Sequence, residues 1–142
     1  MNVFIFEVDG GVSTGFSQHE DLISIANIVV PHGTPYLIKD ASELPSQPIE
    51  SWYIEDGQIK IDQQKLIEFN RKNMPTLTPI EFDTKLKNNG LYDAVQDLIK
   101  DNFELRIAYN RATFFSRTTP FTDQARIALG LTDEQVDAMW TS

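Results

Sequence analysis

Ser51-Trp52-Tyr53-Ile54-Glu55-Asp56-Gly57-Gln58-Ile59-Lys60-Ile61-Asp62 is the stretch on which the fold class turns. Asp56-Gly57 suits the centre of a type I′ turn, where both residues take positive φ. A two-residue turn there sets Ile54 opposite Ile59, Tyr53 opposite Lys60 and Trp52 opposite Ile61. Side chains alternate across a strand, so Trp52, Ile54, Ile59 and Ile61 share one face, and Tyr53 and Lys60 the other. One apolar and one wet face is what an antiparallel hairpin lying on a core requires.

Downstream, the apolar period changes to that of helices. Asp62 can cap a helix carrying Leu66, Ile67 and Phe69, ending near Asn73 ahead of Pro75. Thr78-Pro79-Ile80-Glu81 reads as a capping box with Pro at the first helical position; Ile80, Phe82 and Leu86 follow, and Asn89-Gly90 stops the helix. Leu91, Val95, Leu98 and Ile99 mark the next helix. Leu105, Ala108, Ala112 and Phe115 form the stripe of another, and Phe121, Ala125 and Ala128 of a short one closed by Gly130. Thr132-Asp133-Glu134-Gln135 is a further capping box, opening a last helix with Val136, Met139 and Trp140.

Upstream, Val3 to Val8 reads as a strand and Asp9-Gly10-Gly11 as a turn. The capping box Ser17-Gln18-His19-Glu20, followed by Leu22, Ile25, Ala26 and Val29, predicts a helix from Gln18 to Val29, ended by Pro31. Pro35 to Lys39 reads as a short strand, and Asp40 to Glu50, with its two prolines, as a loop. Strands cluster first and helices after, so the fold class is α+β. A small antiparallel or mixed sheet with one helix occupies residues 1–73, and a cluster of four to five short helices residues 74–142. Met74 to Leu77 is either a linker between two domains or a joint within one.

The chain has 142 residues, enough to bury a core without a metal or disulfide. It has no cysteine, which excludes disulfides, thiolate zinc sites, iron–sulfur clusters and cysteine nucleophiles. Its start lacks the basic flank and long apolar core of a signal peptide, and no apolar run approaches the ~20 residues of a membrane span. A cytoplasmic protein, or one released by lysis, is expected. Through Asp62 there are ten acids and two bases, a net −8; from Gln63 onward eleven acids face ten bases, a net −1. The first part disfavours direct binding to nucleic acid and suits a basic partner, or is a solvated face that keeps the chain soluble.

Motifs that carry chemistry are sparse. His19 and His32 have no second ligand at metal-binding spacing, so no metal is expected. Val8-Asp9-Gly10-Gly11-Val12 lacks the glycine spacings that cradle phosphates and reads as a turn. Asp93, Asp97 and Asp101 make an acidic helical stripe, either a cation site or, more commonly, a solvated face. No G-x-S-x-G or H-E-x-x-H occurs, so neither catalytic residues nor cofactors are expected. Arg106, Arg111, Arg117 and Arg126 accompany Tyr109, Phe114, Phe115 and Phe121. They form either a basic–aromatic binding surface or core aromatics with an arginine rim. The candidate partner-binding residues are Trp52, Tyr53 and Asp56 in the hairpin and Arg106, Tyr109 and Arg111 in the helical part. Trp52 reads rather as core, which leaves Tyr53 the better surface candidate.

Three stretches carry a resemblance: Val30-Pro31-His32-Gly33-Thr34-Pro35-Tyr36, leading through Ile38 to Asp40-Ala41-Ser42-Glu43-Leu44-Pro45; the tryptophan hairpin Trp52 to Asp62; and Ile127-Ala128-Leu129-Gly130-Leu131-Thr132-Asp133-Glu134-Gln135-Val136-Asp137. Together they resemble short proteins encoded beside tail and tail-fibre genes in tailed bacteriophages and prophages. These are turn and cap signatures, and the family has no catalytic residues to carry over. The resemblance implies a virion-associated or assembly role, exercised on another phage structural protein, in the host cytoplasm or the virion. Two rivals stand beside it: an acidic phage-encoded inhibitor of a host protein that mimics nucleic acid, and an enzyme of unrecognised type.

Overall fold

The structure, a computed structural model, describes residues 1–16 and 21–142. The capping box and His19 expected at residues 17–20 lie outside the described residues. The chain divides into two compact units, Met1–Phe69 and Asn70–Ser142. The division falls inside a helix, whereas the sequence set its joint between residues 73 and 74.

In the N-terminal unit, β1 (Asn2–Val8), β2 (Gly11–Phe16) and β3 (Tyr36–Asp40) form an antiparallel sheet of order β2-β1-β3. β1 is central and Val3, Phe4, Ile5 and Phe6 are all buried, because both of its faces are covered. On one face Phe4 and Phe6 pack against Leu22 and Ala26 of α1 (Leu22–Val29) and against Val30. Asp21 caps α1, its Oδ1 accepting from the Ser24 amide at 3.0 Å. On the other face Glu7, in phase with Val3 and Ile5, reaches the hairpin formed by β4 (Trp52–Glu55) and β5 (Gln58–Ile61): its Oε1 accepts from the Ile54 amide at 2.8 Å. That carboxylate occupies an outward amide of an edge strand, one way a sheet closes its edge.

The hairpin register matches its expected pairs, Trp52 with Ile61, Tyr53 with Lys60 and Ile54 with Ile59. Asp56 and Gly57 take φ of 53° and 71°, as the turn type demands. The segment between Asp40 and Glu50 contains a 3₁₀ turn, Ala41–Glu43, and a second follows at Ile49–Ser51. β2 differs from expectation: the sequence reads as a turn at Gly11, but the strand begins there. Ser13, Thr14 and Gly15 carry little strand propensity, and β2 forms because β1 supplies its pairs. Gly15 sits opposite Phe4, whose ring lies over it, and a Cβ at Gly15 would fall 2.0 Å from the ring Cζ.

α2 (Gln63–Lys72) starts at Asp62, whose Oδ1 accepts from the Lys65 amide at 3.1 Å. Beyond it follow α3 (Pro79–Asn88), α4 (Tyr92–Asp101), α5 (Phe103–Arg111), α6 (Pro120–Ala128) and α7 (Asp133–Thr141). The capping boxes at Thr78 and Thr132 both form, with Glu81 and Gln135 reaching back to the cap amides at 2.8 Å each. The core of this unit is aromatic at its centre: the Phe82 and Phe115 rings stack with centroids 4.1 Å apart, and Trp140 donates through Nε1 to the Pro75 carbonyl at 2.8 Å. Several residues depart from the helical pattern: Ile67, Ala108 and Ala128 are exposed, and Ala112 lies beyond the end of α5. Ile80 is 80% exposed, since Phe82 and Leu86 alone set the inner face of α3. Phe115 lies beyond the end of α5 and enters the core through a β-bridge, exchanging N–H···O bonds of 2.8 and 2.7 Å with Leu77. Among the described residues no helix is long and apolar enough to cross a membrane.

Candidate functional site

The hairpin residues separate by depth. Trp52 is 6% exposed and its indole Nε1 donates to the Gln47 carbonyl at 2.8 Å, so it belongs to the core. Tyr53 is half-buried, and Asp56 is exposed at the turn. Tyr53 and the β1–β2 turn border a cleft of about 190 Å³, also lined by Glu7, Asp9 and Val12. Lys65 lies at its rim, Nζ donating to the Gly10 carbonyl at 3.0 Å. Beside it Lys60 pairs with Glu55.

The arginines and aromatics of the C-terminal unit do not assemble into one surface. Phe115 and Phe121 are core, Phe114 and Arg111 are exposed, and Arg106 lies over the exposed Phe103 ring at 5.5 Å from its centroid. Tyr109 is half-buried against Phe115 and Phe121; its hydroxyl donates to Asp83 Oδ1 and accepts from Gln96 Nε2 at 3.2 Å. Burial, and then the bond to Asp83, push the Tyr109 phenol well above its ordinary pKa of 10.0. A phenol whose folded pKa is raised adds stability below its unfolded pKa, and that stability is lost as the pH rises beyond it. An alkaline titration followed at the phenolate absorbance should therefore show one of the four tyrosines ionising only with unfolding. Tyr109→Phe should abolish that late step; a step that survives the substitution would refute it.

Arg117 and Arg126 are held by carboxylates of their own unit. Arg117 is 4% exposed, and its Nε donates to Asp137 Oδ1 at 2.7 Å and its Nη2 to Asp133 Oδ1 at 2.8 Å. Asp137 also accepts from Arg71 Nε at 2.9 Å, and Arg126 pairs with Asp123 and Asp133 at 2.8 and 3.3 Å. The bond from Arg117, opposed in part by desolvation, holds the Asp133 carboxyl below its ordinary range. With three guanidinium groups facing three carboxylates, the cluster joins the end of α2, the α5–α6 connection, α6 and α7. Sequence reasoning missed it. The available signal was Asp133 and Asp137 four apart on one helical face, but Arg71 and Arg117 come from distant positions that no spacing rule connects to them.

Asp93, Asp97, Asp101 and His32 are exposed, and no group of acidic or histidine side chains is placed to hold a metal among the described residues. The apolar void inside the C-terminal core, between Phe82, Val95, Phe121 and Met139, measures about 30 Å³, one water's worth of space.

α1 is the element whose surface its own unit leaves unexplained. Its sequence, Leu22-Ile23-Ser24-Ile25-Ala26-Asn27-Ile28-Val29, has no charged residue. Leu22 and Ala26 are buried, yet Ile28 is 83%, Ile23 59% and Val29 54% exposed. Ser24 and Asn27 lie between Ile23 and Ile28 on the helix surface and are also exposed. Exposed isoleucines on a helix without a charged residue leave apolar surface in water. Sequence reasoning read a helix here from Leu22, Ile25, Ala26 and Val29 and did not foresee that Ile23, Ile28 and Val29 would be exposed. Comparison of the chain with protein-family models, curated proteins and solved structures finds no match.

Proposed function

We propose that this protein is a non-enzymatic, tail-associated or tail-fibre assembly protein of a bacteriophage, acting by binding another phage structural protein in the host cytoplasm or the virion. The observation that carries the binding role is the outer side of α1, where Ile23 and Ile28 stand in solvent on a helix with no charge to keep it there. The phage assignment is supported by the resemblance in residues 30–45, 52–62 and 127–137. The last of these is the α6–α7 junction, with Thr132 as the cap of α7. Tagged protein in a lysate of phage-producing cells should recover a tail or tail-fibre component; recovery of a host enzyme alone would replace this reading with the inhibitor.

The inhibitor reading has one observation of its own: no Lys or Arg side chain precedes Lys39, whereas Glu7, Asp9, Glu20 and Asp21 do. A nucleic-acid mimic would lose its basic partner steeply as salt rises, whereas a contact built on apolar side chains would not.

A further inference from the structure

We infer that Asn89 is a modification site that the fold keeps latent: it loses ammonia and becomes aspartate or isoaspartate only while the cap at the end of α3 is open. Asn89 is the one asparagine of the chain's eight that precedes a glycine. Asparagine is a thermolabile residue, and a following glycine has no side chain to shield its backbone nitrogen from the carboxamide. In the reaction the Gly90 nitrogen gives up its proton and attacks Asn89 Cγ. A bond forms between them, the bond from Cγ to Nδ2 breaks, and Nδ2 leaves as ammonia. One water then opens the cyclic imide. Opening at Cγ leaves aspartate; opening at the backbone carbonyl leaves isoaspartate, whose chain runs through Cγ and is longer by one carbon.

Burial does not protect the site, since Asn89 and Gly90 both stand in solvent. The cap protects it. With Asn89 at ψ 7°, the Gly90 nitrogen eclipses Asn89's own nitrogen about the Cα–C bond. Ring closure needs that nitrogen eclipsed with Cβ, on another side of the tetrahedral Cα. Two backbone bonds fix the angle. The Gly90 amide donates to the Lys87 carbonyl at 3.1 Å and the Leu91 amide to the Leu86 carbonyl at 2.8 Å, the paired bonds of a Schellman cap with Gly90 at φ 69°. The first of them also occupies the proton that the nucleophile must lose. The carboxamide is held as well, Nδ2 donating to the Lys85 carbonyl at 2.8 Å. Leu91 closes the motif, half-buried against the core that contains Leu86. Helix ends open at lower cost than the core, and each opening frees nucleophile and carboxamide together. Isoaspartate cannot re-form the cap, because its extra backbone carbon displaces the Gly90 and Leu91 amides from their carbonyls. Opening of the α3–α4 joint is thereby recorded irreversibly.

The test keeps the full chain at mildly alkaline pH in water enriched in the heavy oxygen isotope, which labels any residue that passes through the imide, and maps the label by peptide mass spectrometry. Unfolded in guanidinium chloride, the chain should convert Asn89 ahead of its other asparagines. Folded, it should convert Asn89 at least roughly tenfold more slowly, since the site then reacts only through local opening. Leu91→Ala trims the apolar contact of the cap and leaves Asn89-Gly90 intact. It should raise the folded rate, and hydrogen exchange at the Gly90 amide should quicken by a similar factor, because both pass through the same opening. In aged protein the isoaspartate fraction should have lost protection at that amide. Equal conversion rates in the folded and unfolded chain, another asparagine converting first when unfolded, or a Leu91→Ala rate no faster than the parent's would overturn the inference. So would an isoaspartate product that still protects the Gly90 amide.

Discussion

Asp137→Ala should cost the C-terminal unit about 3–5 kcal/mol, the scale on which removing one partner strands a buried charge. Asp137 accepts from the Nε atoms of both Arg71 and Arg117, at 2.9 and 2.7 Å. Without it Arg71 and Arg117 are left to share Asp133, at 3.9 and 2.8 Å, and Arg117 is only 4% exposed. Against the 5–15 kcal/mol that typically holds a folded domain, that is a large share. The two tryptophans make the measurement clean, since Trp52 belongs to the N-terminal unit and Trp140 to the C-terminal one. In a Trp52→Phe chain, urea unfolding followed by Trp140 fluorescence reports the C-terminal unit alone. The double variant Arg117→Met/Asp137→Leu should lose less than Asp137→Ala, because it removes the charge together with its partner. A single variant within about 1 kcal/mol of the parent, or a double variant worse than the single, would show that the cluster is merely a solvated rim. Acid should act on the same place. Asp133 has a folded pKa below its ordinary 3.8, so its contribution is complete above that value and fades as the pH falls below it.

Gly15→Ala should destabilise the N-terminal unit by at least about 2 kcal/mol, within the range for overpacking a filled core. The added Cβ would stand 2.0 Å from Cζ and 2.3 Å from Cε2 of Phe4, so the ring must leave its place. That ring is 1% exposed, enclosed by the side chains of α1 and Val30, and has nowhere near to go. The effect is steric rather than conformational, since Gly15 sits in ordinary extended backbone where alanine is at home. Phe4→Ala alone should cost about 3–5 kcal/mol. In combination the two should lose less than their sum, because the smaller side chain makes room for the new methyl. Unfolding followed by Trp52 fluorescence in a Trp140→Phe chain gives the cycle. Strict additivity would mean that Phe4 and Gly15 do not share the space assigned to them.

The hairpin and the helix starts were legible in the sequence because their causes are local. Asp56-Gly57 imposes a turn, the turn imposes register, and register sorts Trp52 from Tyr53. Thr78 with Glu81 and Thr132 with Gln135 satisfy helix amides within one turn of themselves. β2 and the entry of Phe115 were not legible. Val12 to Phe16 becomes a strand through the partners β1 brings to it, and Phe115 reaches the core through its bridge to Leu77. Of the candidate contact residues, Tyr53, Asp56, Arg106 and Arg111 keep surface, Trp52 is core as its place in the hairpin indicated, and Tyr109 closes onto Asp83.

Residue order alone therefore determined an α+β chain, strands first and short capped helices after, with its negative charge gathered before Asp62. Tertiary structure alone decided which charges neutralise each other and which apolar side chains remain outside. Arg117 looked like a rim or surface cation until Asp133 and Asp137 arrived beside it, and Val29, read into the apolar stripe of its helix, is 54% exposed. The physical reason is range. Turns and caps are settled by bonds between residues a few positions apart, whereas ion pairing and burial depend on neighbours that only the folded chain brings within reach.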